Sequence, residues 1–140
     1  MATTLLFARL LPAPKVMGDA LDSLVIEPAL IFPVPASGGG EGGSMTEVAM
    51  LGAVNAWKTA ITAGKIVLFK NAITPDKNTA YEDLVVPTGS WYTLTTSALG
   101  EAYHDDDGNL RVQAVSKQFN YSGTDPAETI IGWGYVDVTA

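Results

Sequence analysis

The chain has no cysteine and a single histidine, His104. Without thiols there is no disulfide framework, no thiolate nucleophile and no thiolate metal site. With one histidine, any Ser-His-Asp triad must run through His104. That residue stands beside acids in an expected turn, with no G-x-S-x-G elbow in the chain. No apolar run approaches the roughly 20 residues needed to cross a bilayer, because Pro, Gly and charges interrupt every cluster. The opening Met1 to Leu11 lacks the basic region, apolar block and small-residue cleavage site of a secretion signal, so it reads as mature structure. Charge is scarce as well. Only 16% of residues are charged, and 8 basic against 15 acidic residues leave a formal net charge of -7. That balance repels phosphate backbones and leaves no basic patch for nucleic acid.

What is abundant is apolar. Hydrophobic residues form 47% of the 140, and the mean hydropathy is positive. One domain of this length encloses a single core, and the apolar surplus is expected to cover a subunit interface.

Ser37 to Ser44 reads SGGGEGGS, the composition of a flexible connector with a reach of about 15 Å. Met45 follows it, where a start codon would naturally sit. The far end, Glu128 to Ala140, is strand-like and closes on VDVTA, and Thr3 to Leu11 is strand-like too. Placed end to start without Met1, they read GYVDVTA followed by ATTLLFARLL, the pattern of a β-hairpin opened at its turn. These observations imply a circularly permuted domain spanning 1–140, with 37–44 as an engineered linker between its original termini.

Ser44 and Glu47 form an S-x-x-E capping box, so a helix is expected over about 45–62. Met45, Val48, Leu51, Val54 and Trp57 recur every three residues, which drifts around a 3.6-residue turn and implies a helix covered on more than one side. Strands are expected at Thr3–Leu11, Ser23–Val34, Lys65–Lys70, Leu84–Val86, Trp91–Thr96, Leu110–Lys117 and Glu128–Asp137. Pro28 and Pro33 should break the second of these or hold it at an edge. The fold class expected is mainly β, a β-sandwich or jelly-roll-like domain with one helix after the linker.

Three passages, KIVLFKNAITPDKN (Lys65 to Asn78), ETIIGWGYVD (Glu128 to Asp137) and LLFARLLPAP (Leu5 to Pro14), together resemble small structural proteins of tailed bacteriophages, decoration or tail-associated. MGDALDSLVIEP (Met17 to Pro28) matches that family's closing segment loosely, with an insertion after Asp19. The closing pieces stand first here, as permutation requires. The resemblance implies a virion location for the parent protein, small oligomers with a trimer favoured, and contacts with other capsid or tail proteins. None of the matched passages carries chemistry.

Candidate sites follow from residue type. In HDDDGN (His104 to Asn109), Asp105, Asp107 and Asn109 alternate like calcium ligands. Gly108 stands fourth from Asp105 and an apolar strand follows, a departure from the EF-hand pattern that suits a tight hairpin turn. Glu82 with Asp83 and Asp105 with Asp106 are neighbouring carboxylates whose spacing across a cleft the sequence does not give. Trp91, Tyr92, Trp133 and Tyr135, with Tyr103 and Tyr121, could stack on sugars. The alternation of strand side chains puts Trp133 and Tyr135 on one face and favours core or interface anchors. No cofactor and no catalytic residue is expected. The reading is a non-catalytic scaffold, soluble when produced recombinantly, that oligomerises through apolar β surfaces. Its rival is a carbohydrate- or receptor-binding module.

Overall fold

The computed structural model describes residues 2–32, 47–61, 63–106 and 109–139. The linker Ser37 to Ser44, the residues around it and Asp107 lie outside the described residues, and so does the Ser44 half of the capping box.

Among the described residues nine strands and one α-helix run in the order β1 (Ala2–Met17), β2 (Ser23–Ile26), β3 (Ala29–Phe32), α1 (Glu47–Ala60), β4 (Gly64–Phe69), β5 (Thr95–Thr96), β6 (Leu99–His104), β7 (Leu110–Ala114), β8 (Lys117–Asn120) and β9 (Glu128–Thr139). They form antiparallel sheets of order β1-β9-β4-β5, β2-β8 and β3-β7-β6. The domain is mainly β and sandwich-like, as the sequence indicates. Among the described residues no helix is long and apolar enough to cross a membrane.

The centre is β9. It pairs with β4 on one flank and β1 on the other, and its residues 132–136 are buried on both faces. Two apolar cores result. On one face Trp133, Tyr135, Ile66 and Leu68 join Leu30, Leu110, Val112 and the helix residues Met50 and Val54. On the other, Val67, Phe69 and Val136 meet Leu84. The expected pairing of the Glu128–Ala140 and Thr3–Leu11 runs is present as a long ladder, with Ala2 opposite Thr139 and Thr3 opposite Val138. Its register slips between Leu10 and Lys15, where Pro12 and Pro14 supply no N–H to a ladder.

Pro28 breaks the expected Ser23–Val34 strand. β2 pairs with β8 and β3 with β7, so the chain changes sheets at Glu27–Pro28. Its partner changes at Val115–Ser116, which divides the expected Leu110–Lys117 strand in two. The Ala114 N–H donates to the Pro28 carbonyl at 3.0 Å and closes this corner.

Four expectations are corrected. Leu84–Val86 forms no strand, because the Asn71 side chain accepts from the Val85 N–H at 2.9 Å and donates to the Asp83 carbonyl at 2.9 Å, taking the place of a ladder. Trp91–Thr96 is strand only at Thr95–Thr96, since acidic side chains bind the preceding loop. The helix is covered on one side: Met50 and Val54 are buried, Trp57 and Ile61 pack beside them, and Val48 is 82% exposed. Residues 50, 54, 57 and 61 follow the true helical period, whereas the three-residue series does not. Finally β6 forms from LGEAYH, an unalternating segment that gives no strand signal.

Gly64 begins β4 under the ring of Tyr135, and a Cβ there would strike the phenol. The Tyr135 hydroxyl donates to the buried Ser97 carbonyl at 2.6 Å, so the ring has little room to yield. Gly52 lies on the helix with open space around it. Gly64→Ala is expected to destabilise the fold by about 1–3 kcal/mol through overpacking, and Gly52→Ala to stabilise it by up to about 1 kcal/mol. Thermal melting of the two variants checks both signs.

Candidate functional site

The polar centre of the molecule is Glu128, the first residue of β9, with its side chain almost wholly enclosed. Strand alternation explains the burial: Glu128 and Ile130 share one side of β9. A carboxylate in that position requires donors on every lone pair. Lys70 Nζ donates to Oε1 at 2.8 Å, the Thr88 N–H to Oε1 at 3.0 Å and the Gly89 N–H to Oε2 at 3.1 Å. Burial alone would raise the carboxyl, but the Lys70 ammonium and the two amides hold it below its usual range. A second acid acts on the same loop. Asp125 Oδ2 accepts from the Ser90 N–H at 3.0 Å, the Ser90 hydroxyl at 2.8 Å and the Ser122 hydroxyl at 2.7 Å. These hydroxyls and the amide outweigh a smaller desolvation effect and lower its carboxyl as well.

Three consecutive amides, Thr88 to Ser90, are therefore taken by acids from the β8–β9 side of the domain. They are unavailable to a ladder, and the Tyr92 N–H turns back to the Gly89 carbonyl at 3.1 Å. This pinned turn positions Trp91 and Tyr92. Both are half-buried against the core, in edge contact with each other at 6.1 Å between centroids, and Tyr92 lies 6.0 Å from Phe119. Burial pushes the Tyr92 hydroxyl above its ordinary range.

Trp133 and Tyr135 are core residues, 6% and 1% exposed. Phe7 tilts over Trp133 at 5.6 Å. Burial, together with the Asp137 charge, pushes the Tyr135 hydroxyl up to about 12. Tyr121 is buried and its hydroxyl donates to the Asp125 carbonyl, while Tyr103 remains outside on β6. The six aromatics thus form no common platform: Trp91, Tyr92, Tyr121, Trp133 and Tyr135 belong to the core or its margin, and Tyr103 stands apart.

The acidic turn joins β6 to β7. Asp105 Oδ1 accepts from the Asn109 N–H at 2.9 Å, the Asp105 N–H donates to the Asn109 carbonyl at 2.9 Å, and Arg111 pairs with Asp105 Oδ2 at 3.0 Å. Two of the three candidate calcium ligands, Asp105 and Asn109, therefore close a hairpin with a cation already present. Among the described residues no group of three acids or histidines could hold a metal ion. Glu82 and Asp83 lie in a 3-10 turn (Tyr81–Asp83), where Asp83 accepts from the Ala80 N–H at 2.9 Å. The His104 ring nitrogens are buried without a hydrogen-bond partner among the described residues.

The Glu128 centre was not apparent as a site in the sequence, although an acid in phase with Ile130 at the head of an apolar strand was its signal. A larger feature has no signal in local sequence pattern. A groove of about 760 Å³ opens between Arg9–Pro12 of β1 and Val25–Ala29 of the β2–β3 corner, with Trp133 in its floor. Comparison with known protein families, curated proteins and solved structures found no match to this chain.

Because the Glu128 carboxyl is lowered in the folded state, its contribution is complete above the unfolded value of about 4.3 and disappears as pH falls through the folded value. Melting temperature should fall on acidification from about pH 5 to about pH 3. Glu128→Gln should cost on the order of 2 kcal/mol at neutral pH and flatten that fall. Calorimetric melts across the pH range test both. Calcium at millimolar concentration is expected to leave the melting temperature unchanged, because Arg111 already neutralises Asp105.

Proposed function

We propose that this chain is a non-catalytic structural and interaction scaffold that associates with copies of itself through apolar β surface. The observation that carries this reading is how the molecule distributes its groups. Its hydrogen-bonded carboxylates serve the fold: Glu128 and Asp125 hold a loop, and Asp105 holds a hairpin. Large apolar side chains meanwhile stand outside, among them Leu10, Val16, Val25, Val115 and, 92% exposed, Leu21. Burial of such side chains drives association at roughly 25 cal/mol per Å² of apolar area removed from water. Leu10 and Val25 line one groove, and apolar surface gathered outside a core is characteristic of interaction sites.

The resemblance of the β1, β4 and β9 passages to tailed-phage structural proteins agrees with this reading and favours a virion role for the parent and a trimeric assembly. Permutation belongs to the same proposal. The register that sets Ala2 opposite Thr139 lets a short turn join these strands, leaving 37–44 as the substituted connection and the ends relocated for assembly or display. Burial of Trp133 and Tyr135 withdraws two of the aromatics that a carbohydrate module would use.

Light-scattering mass at micromolar concentration tests the scaffold reading. An oligomer, with a trimer favoured, is expected, and a monomer throughout the range overturns it. A rearranged chain that starts at Met45, runs through Ala140 into Ala2 and ends at Ala36 should melt within a few degrees of this one. Loss of folding in that chain overturns the permutation.

A further inference from the structure

We propose that the groove between β1 and the β2–β3 corner receives a second copy of this chain, with Arg9 of one copy set against Glu27 of the other. The inference rests on the scaffold reading and names the surface that reading requires.

The groove lies where three sheets end. β1 is the outer strand of its sheet, β2 has one partner, and β3 is the outer strand of the third sheet. Among the described residues no further strand pairs with any of them. Loop residues Pro75 to Thr79 lie beside Leu5 to Ala8, so the uncovered part of β1 starts near Arg9. On its walls, Leu10 is 39% exposed and Val25 52% exposed. These are β-branched or branched aliphatic side chains at the margin of a core, with Trp133 immediately beneath.

Charge selects the occupant. Arg9 stands on one wall and Glu27 on the other, both exposed. Neither forms an ion pair within 4.0 Å among the described residues. A groove with one unpaired charge of each sign on opposite walls is complementary to itself. It is a poorer match to a uniformly charged partner. In a chain of formal net charge -7, copies repel at long range, so a local pairing of opposite charges is what fixes their approach. Pro12 and Pro14 deny a partner strand its donors beyond Leu11. The contact is thereby confined to side chains near Arg9 and Leu10, and an open-ended stack of strands is disfavoured.

Charge reversal tests the pairing by sedimentation equilibrium. Arg9→Glu and Glu27→Arg each set like charges together and should weaken association by about tenfold or more. The double variant R9E/E27R should return it to within about threefold of the original chain, and 1 M salt should compress these differences. Both positions are exposed, and unchanged thermal melts confirm that the variants fold. Val48→Lys on the helix serves as the control and should leave association unaltered. If the original chain is an oligomer and neither single reversal changes its mass, this surface is not the contact, although the scaffold reading stands. Weakened single variants without rescue in the double overturn the Arg9–Glu27 pairing. A monomeric original chain overturns both readings. So does one in which an oligosaccharide or an unrelated peptide changes Trp133 fluorescence while the mass stays monomeric.

Discussion

Strand β9 is hydrogen-bonded on both flanks and covered on both faces over residues 132–136, and that condition governs the rest of the molecule. A strand enclosed in this way must be apolar on both sides, and IIGWGYV satisfies the requirement with small residues where neighbours approach. Gly132 lies against Phe69 and the Arg9 carbonyl, and Gly134 against Val67, Leu5 and the Phe7 carbonyl. The aromatic pair Trp133 and Tyr135 fills one core, while Val136 enters the other. Residues that looked like a ligand platform are enclosed because the strand carrying them is central.

The acidic end of the same strand organises the polar structure. Glu128 cannot leave the sheet without removing Ile130 from the core, and it cannot remain there without donors. Lys70 at the end of β4 and the Thr88–Gly89 amides meet that need. A buried charge of this kind gives little net stability when paired, yet its loss of a partner is costly, so it acts chiefly to select one loop conformation. Asp125 reinforces the selection from solvent, and the turn bearing Trp91 and Tyr92 follows from the two together.

Much of the fold was legible from local pattern. The β4 and β9 runs, the β1–β9 pairing, the helix and the break at Pro28 each rest on a short-range rule, whether apolar runs of strand length, helix-forming composition or the missing proline N–H. The errors share a different origin. Leu84–Val86 and Trp91–Thr96 have strand-like composition, but Asn71, distant in the chain, takes the Val85 amide, and Glu128 and Asp125 pin the turn at Thr88–Ser90 from which the Tyr92 N–H turns back to the Gly89 carbonyl. β6 lacks any alternation and is strand because β7 lies beside it. The calcium-like turn had two readings, and Arg111, six residues beyond Asp105, is the cation that closes the hairpin.

The amino-acid sequence by itself determined a mainly β domain with one helix, the absence of thiol chemistry, the acidic net charge and the apolar surplus, since these depend on composition and on patterns a few residues long. The tertiary structure alone decided which apolar groups remain outside. Leu10 and Val25 are no less hydrophobic than Leu30 and Val67, and no local rule separates them. They differ because three sheets end around the first pair, whereas neighbouring layers close over the second. For the same reason Arg9 and Glu27, 18 residues apart in the chain, became opposite walls of one groove only when β1 and the Pro28 corner were folded towards each other.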